Sequence, residues 1–395
     1  MSAVPDIPPA RHGHALLLAG IILVGLNLRP ALSSISPVLE DIRLMLGLSA
    51  VTAGWLTTLP VFCLGLFAPL APLLARRIGP ERGILVALAV LAGGMLLRTR
   101  FGIPGLFAGT VIAGAGIGIA GVLLPGIVKR NFPAQADLMT GVYTMALCAG
   151  AALAAGFTVP LAQYFGSWRP AIASWALLAV LAALLWLPQV RHAHTLNSQA
   201  QAPARLWREP LAWQVTLFMG LQSSTAYIVF GWLPSILQAR GLTPLAAGGW
   251  MSVSVMMQLI TSLGGPWLAR RARDQRGPIV LMLTLTAAGL FGCLYAPATQ
   301  LPLWAVVLGL GQGGNFSLAL SLLVLRTRNA TTAAQLSGMA QGLGYTLAAL
   351  GPLTIGMVRE WSGSWQATGP LLALIVLGAL IAGLAAGRDR KIGHD

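Results

Sequence analysis

The sequence predicts an all-α membrane protein of twelve transmembrane helices arranged as two parallel six-helix repeats. Three observations lead there. The 395 residues are 56% hydrophobic and 9% charged, with a mean hydropathy of +0.77, whereas a soluble domain is about one-quarter charged. The apolar runs reach the ~20 residues that a helix needs to cross a bilayer. The first half of the chain also echoes the second at a spacing of about 195 residues.

The runs read as spans over 14–36, 50–73, 83–98, 105–128, 138–161, 170–188, 211–236, 245–268, 278–296, 302–325, 335–357 and 367–387. The third is the shortest. None shows the ~10-residue alternating segments of a membrane barrel, so the spans are helices. Internal Gly and Pro are compatible with this, because neighbouring segments re-satisfy the freed backbone groups. The first run begins after Arg11 as a secretory signal does, but "NLRPALSS" follows without a small-x-small cleavage site, and it is read as the retained first helix. Cys63, Cys148 and Cys293 each fall within a span and read as small buried hydrophobes, not as disulfides or metal ligands.

The formal net charge is +15, which in a soluble chain would suggest a nucleic-acid partner. Its distribution argues otherwise. With both termini in the cytoplasm, Arg76, Arg77, Arg82, Lys129, Arg130, Arg205, Arg208, Arg270, Arg271, Arg273, Arg276, Arg326 and Arg328 fall on the cytoplasmic side. Arg43, Arg98, Arg100, Arg169, Arg240 and Arg359 fall on the other. That asymmetry is the positive-inside rule. It predicts a multi-pass protein of the bacterial inner membrane with the bilayer, and no nucleic acid, as its surroundings.

The repeat divides the chain. "LARRIGPERG" (74–83) echoes "LARRARDQRG" (268–277), Trp55 in "AGW" matches Trp250 in "GGW", and "GAGIG" matches "GLGQG". Six helices per half is an even number, so both halves run the same way through the membrane. The predicted organisation is an N-terminal six-helix bundle (1–190), a polar cytoplasmic linker (191–210) and a C-terminal six-helix bundle (211–395). With these motifs the chain resembles the major facilitator superfamily over nearly its full length. One departure is that Arg76 stands where the family's basic loop carries an acidic residue. "LNLRPALSSISPVL", "GVLLPGIVKRNFP", "REPLAWQVTLF" and "LSGMAQGLGYTLAALGP" together resemble the cyanate/2-nitroimidazole transporter (CynX/NimT) branch. The resemblance implies a small polar or anionic substrate.

Arg29 is the least expected residue in the first span. An arginine at the centre of a membrane helix costs about 2.5–3.5 kcal/mol on insertion scales. The repeat sets Asn27 against Gln222 and Arg29 against Ser224, so the scaffold itself does not require a cation there. No Asp, Glu or His lies in the interior of any span. Glu40 and Asp41 are roughly 16–18 Å further along at ~1.5 Å per residue. An unpaired guanidinium facing a wet cavity suits a carboxylate-like group or another small oxyanion. Helical spacing adds Ser33 and Ser36 to its face, and Pro30 frees a helix carbonyl. Two other readings stay open: Arg29 bracing helix ends through backbone carbonyls, or pairing with a distant acid.

The resemblance implies that the first and fourth helices of each half line a central cavity. The candidates there are Asn27, Gln222, Gln312 and Asn315. The eleventh span adds Gln341 and Tyr345 after Ser337, and Tyr143 and Tyr227 also lie inside spans. For each the competing reading is an interhelical hydrogen bond, worth on the order of 0.6 kcal/mol. The Gly ladders "GAGIGIAG" and "GLGQGG" read as close helix packing, since no strand precedes them and no Lys-Ser/Thr follows. No nucleophile–base pair, metal cluster or cofactor motif stands in the spans. The expected function is secondary active or facilitative transport of a small polar or anionic solute by alternating access, by a monomer and with no cofactor. An exporter of drugs or nitroheterocycles on the same fold, or a non-transporting sensor, is the alternative.

Overall fold

The computed structural model describes residues 11–132, 135–191, 206–271, 274–328 and 330–392. Most of the predicted linker lies outside the described residues. Within them the chain is helical, with no strand. The first predicted span is longer than expected and broken: α1 (Arg11–Asn27), α2 (Pro30–Ser33), a 3-10 turn at Ser36–Val38, and α3 (Leu39–Leu46). The second is α4 (Ala50–Phe67) followed by α5 (Leu70–Ile78), divided at Pro69. The rest of the first half is α6 (Pro80–Leu97), α7 (Gly102–Asn131), α8 (Ala136–Phe165) and α9 (Trp168–Val190). The second half holds α10 (Pro210–Ala239), α11 (Pro244–Arg271), α12 (Arg276–Tyr295), α13 (Leu301–Leu325), α14 (Ala330–Ser362) and α15 (Gly369–Ala386). Each predicted span therefore has its helix or helix set.

Local chemistry explains the boundaries. The Ser49 side chain caps α4 by accepting the N–H of Thr52 at 3.1 Å. Pro80, Pro210 and Pro302 occupy the first turns of α6, α10 and α13, where a missing N–H costs nothing. Among the described residues nine spans are long and apolar enough to cross a membrane by length and composition alone. The other three long helices, α10, α11 and α14, carry polar runs such as Gln222-Ser223-Ser224-Thr225.

One apolar core is continuous between the halves, joining Leu56 and Val61 of α4 to Ile228 and Trp232 of α10 and Ile355 of α14. Across the halves α4 packs on α14 and α8 on α11. The first Gly ladder lets α7 approach α6: a Cβ at Gly116 would stand 2.6 Å from the Ala87 carbonyl oxygen. The basic residues near Arg76, Arg130 and Arg326 gather at one end of the bundle, here the basic end. The α3–α4 and α14–α15 turns lie at the far end.

Candidate functional site

The break in the first span follows from its residues. Pro30 has no N–H to offer the Leu26 carbonyl, and the last turn of α1 tightens so that Leu28 N–H bonds Gly25 O at 3.1 Å. A Cβ at Gly150 of α8 would overlap the Leu26 carbonyl oxygen, so only glycine allows α8 to pass so close to the freed group. Arg29 sits in the gap at φ −113° and ψ −26° as the N-cap of α2.

The Arg29 side chain is half-buried. Its guanidinium carbon lies 4.9 Å from the ring centre of Phe230 and 6.0 Å from that of Tyr227, both on α10. Tyr227 meets Tyr345 of α14 edge-on at 6.1 Å and Phe230 at 6.4 Å. Tyr143 of α8 stands beside Gly25, one helical turn before Arg29. The guanidinium makes no hydrogen bond or ion pair with any described residue, and the hydroxyls of Tyr227 and Tyr345 make no hydrogen bond to one either. A cation over an aromatic face gains about 0.5–2 kcal/mol, which holds the fork in place without neutralising it.

The structure thus gathers four of the sequence-predicted residues: Arg29, Tyr143, Tyr227 and Tyr345. It places the others elsewhere. Asn27 is fully buried and donates to Leu23 O at 2.7 Å and Leu178 O at 3.1 Å, tying α1 to α9. Ser33 donates back to Arg29 O at 3.1 Å, and Ser36 to Met251 Sδ at 3.4 Å. The shared face expected for Arg29, Ser33 and Ser36 assumed an unbroken helix; Ser33 keeps its place one turn from Arg29 but spends its hydroxyl on the backbone, and the break at Ser34–Ile35 separates only Ser36 from them. Gln222 donates to Met219 O at 3.2 Å and Ser223 Oγ at 2.7 Å within its own helix. Gln312 links α13 to α10 and α11, donating to Thr225 O and accepting from Gln258 Nε2, both at 3.2 Å. Asn315 donates to Thr286 Oγ1 at 3.0 Å, and Gln341 to Ser337 Oγ at 2.7 Å.

Phe230 is the residue that sequence reasoning missed, although its spacing of three from Tyr227 sets both on one face of α10. A second omission concerns the basic loop. With Arg76 in the usual acidic place, the carboxylate that enters the structure is Glu81, buried and paired with Arg130 of α7. The Glu81 carbonyl also accepts the Trp186 indole N–H at 2.9 Å. The repeat places Gln275 where Glu81 stands, and Gln275 accepts from Arg326, which also donates to Ala386 O at 2.8 Å. Burial pulls the Arg326 guanidinium below its ordinary range, against the pull of Asp389 and Asp274.

At the far end a cavity of about 580 Å³ opens between the halves, lined by Glu40, Arg43, Trp232, Arg359, Glu360 and Trp365 among others. The halves touch there: Val51 N–H donates to Glu360 Oε2 at 2.7 Å, and Gln238 Nε2 to Pro37 O at 3.3 Å. Among the described residues no group of His, Cys, Asp and Glu is placed to hold a metal.

Residues 17–352 match the Major Facilitator Superfamily. The chain belongs to that superfamily. It is 39% identical to a 2-nitroimidazole transporter of Escherichia coli (strain K12), covering 95% of this chain and 96% of the relative. It is 32% identical to the cyanate transport protein CynX of the same organism, covering 92% and 95%. Among solved structures, a D-xylose-proton symporter superposes with a TM-score of 0.76 over 96% of this chain and 98% of its own, at 15% identity; that likeness shows the major facilitator fold. This is a transporter of small solutes in the CynX/NimT branch, a multi-pass membrane protein and not an enzyme.

Proposed function

We propose that this superfamily member carries a small planar polar or anionic solute across the inner membrane by alternating access, with Arg29 as the contact for the solute's negative or electron-rich edge. The observation that carries the reading is the unpaired Arg29 guanidinium of the first half, set against Tyr227, Phe230 and Tyr345 of the second. A solute bound there touches both six-helix units, 1–190 and 211–395, on either side of the 191–210 linker. Rocking of one unit on the other then exposes it to one side at a time. The guanidinium fork suits a carboxylate-like or oxyanion edge. The aromatic rings suit a flat body, and the free tyrosine hydroxyls offer neutral hydrogen bonds. Of the solutes named for the two relatives, a nitroimidazole has the flat body and the electron-rich edge, and cyanate, a small linear anion, suits the guanidinium.

The basic end and both termini face the cytoplasm in this reading, by the positive-inside rule. Export of a nitroheterocycle on the same scaffold is the second reading, favoured by the aromatic wall around Arg29. The deciding experiment is a thermal-shift screen of purified wild type and Arg29→Ala against cyanate, nitrate, short carboxylates and 2-nitroimidazole. Binding to the folded state alone raises the melting temperature by linkage. Stabilisation of wild type only is the expected result; equal stabilisation of both proteins removes Arg29 from the site. Uptake and efflux by inverted and right-side-out vesicles then separate import from export.

A further inference from the structure

Arg98 follows α6, where the sequence suggests a loop charge, but its side chain turns back into the protein and is 1% exposed. Its Nη1 donates to the carbonyl of Ala31 in α2 at 2.6 Å. Its Nε and Nη2 have no partner among the described residues. The path of the side chain depends on glycine: a Cβ at Gly109 of α7 would stand 2.5 Å from the Arg98 nitrogen and 3.0 Å from its Cγ.

The acceptor explains the arginine. In a continuous helix the Ala31 carbonyl would take the N–H of Ile35. Here Ser34 N–H bonds Pro30 O at 2.9 Å and Val38 N–H bonds Ile35 O at 3.1 Å, and Ala31 O is passed over. Left alone in an apolar interior, such a carbonyl carries a desolvation penalty. The repeat supplies a control. By the register that sets Arg29 against Ser224, Ala31 corresponds to Ala226, inside the unbroken α10, and Arg98 corresponds to the buried Cys293. The half with the broken helix has the buried cation, and the half with the intact helix has none at that place.

We propose that Arg98 is a positioning residue for the Arg29 site. By taking the carbonyl that the break frees, it fixes α2 and so aims the Arg29 guanidinium, two residues from Ala31, at the rings of α10. The proposal rests on the reading of Arg29 as the solute contact. Its first test does not. Hydrogen–deuterium exchange on the purified full chain is followed over residues 28–39 in wild type, R98K and R98M. R98K keeps a donor for Ala31 O and R98M keeps only the bulk. Exchange in R98M is expected to be about tenfold faster in this segment, and in R98K within about twofold of wild type. The second readout is the concentration of cyanate or 2-nitroimidazole that half-stabilises the protein, expected to rise about tenfold in R98M and under about threefold in R98K. Unchanged exchange in R98M, or equal loosening in both variants, overturns the assignment. Should R98M fail to accumulate, R98Q carries the test: protected exchange supports the proposal and loosened exchange refutes it. If neither probe stabilises wild type, the failure falls on the solute reading and the exchange result still decides the role of Arg98.

Discussion

Arg29 and Phe230 come from opposite halves of the chain, and the guanidinium of one rests 4.9 Å from the ring centre of the other. No described carboxylate competes for that cation. Arg29→Ala is therefore expected to abolish transport of the matching solute while leaving the melting temperature within a degree or two of wild type or slightly higher, because a half-buried charge without a partner is lost. Arg29→Lys keeps the charge but not the planar fork, and its affinity should fall about tenfold. Proteoliposome flux and thermal denaturation on the same preparations check both. A large drop in melting temperature for Arg29→Ala would make the residue a brace.

The aromatic neighbours separate shape from hydrogen bonding. Tyr227→Phe and Tyr345→Phe keep the rings and remove hydroxyls that bond no described residue, so neither should lower stability. Each should weaken binding of a polar solute two- to tenfold, the worth of one neutral hydrogen bond at about 0.5–1.5 kcal/mol. Phe230→Leu keeps the apolar bulk and removes the π face that orients Arg29, with a loss of about 0.5–1 kcal/mol. Isothermal titration of the three variants is the measurement. Wild-type affinity in all three would move the solute away from this cluster.

The parts legible in the sequence are those set by length and composition. Each of the twelve apolar runs is a helix or a set of helices, as crossing a bilayer requires of segments that long, and the repeat carried the basic loops with it. The break at Arg29 is half-visible: Pro30, Pro37 and three serines crowd about two turns, yet the face that helical spacing gives Ser36 beside Arg29 exists only in a continuous helix. The amides were harder. Membrane helices are apolar on the lipid side and on the packed side alike, so no periodicity shows which way Asn27, Gln312 or Asn315 points. Arg98 was invisible for a different reason. Its placement depends on the approach of α7 to the α6 end at Gly109, a tertiary contact that no local signal encodes.

Glu360 and Val51 join the two halves at the far end, beside the cavity. A carboxylate on the first N–H groups of α4 is worth about 0.3–1 kcal/mol from the helix dipole alone, and more with the 2.7 Å hydrogen bond. α4 and α14 must part at this end if the site opens there. Glu360→Ala should therefore shift the balance toward the open form about five- to thirtyfold, for a bond worth one to two kcal/mol. Spin labels at Leu44→Cys and Trp361→Cys, both exposed and on opposite halves, report the distance. A longer-distance population that grows in Glu360→Ala supports the latch, and an unchanged distribution rejects it.

The two basic loops solve the same problem differently, and that difference is testable. In the first half Glu81 is 4% exposed and pairs with Arg130, leaving its second carboxylate oxygen without a partner. In the second half Gln275 receives Arg326 at the matching place. A neutral amide acceptor therefore suffices for this architecture, and Glu81→Gln should cost no more than about 1 kcal/mol, since its Oε1 can still accept from Arg130. Arg130→Ala is the harsher change because it strands a buried carboxylate. Such losses run to about 3–5 kcal/mol, and the lower end is expected here because Arg130 keeps 38% of its side chain exposed. In the double variant the stranded charge is gone, so most of that cost should return. A double-mutant cycle on denaturation midpoints gives the coupling directly. Additive costs would mean that the pair is held apart in solution. A double variant as unstable as Arg130→Ala would place the cost in lost arginine packing and not in the charge.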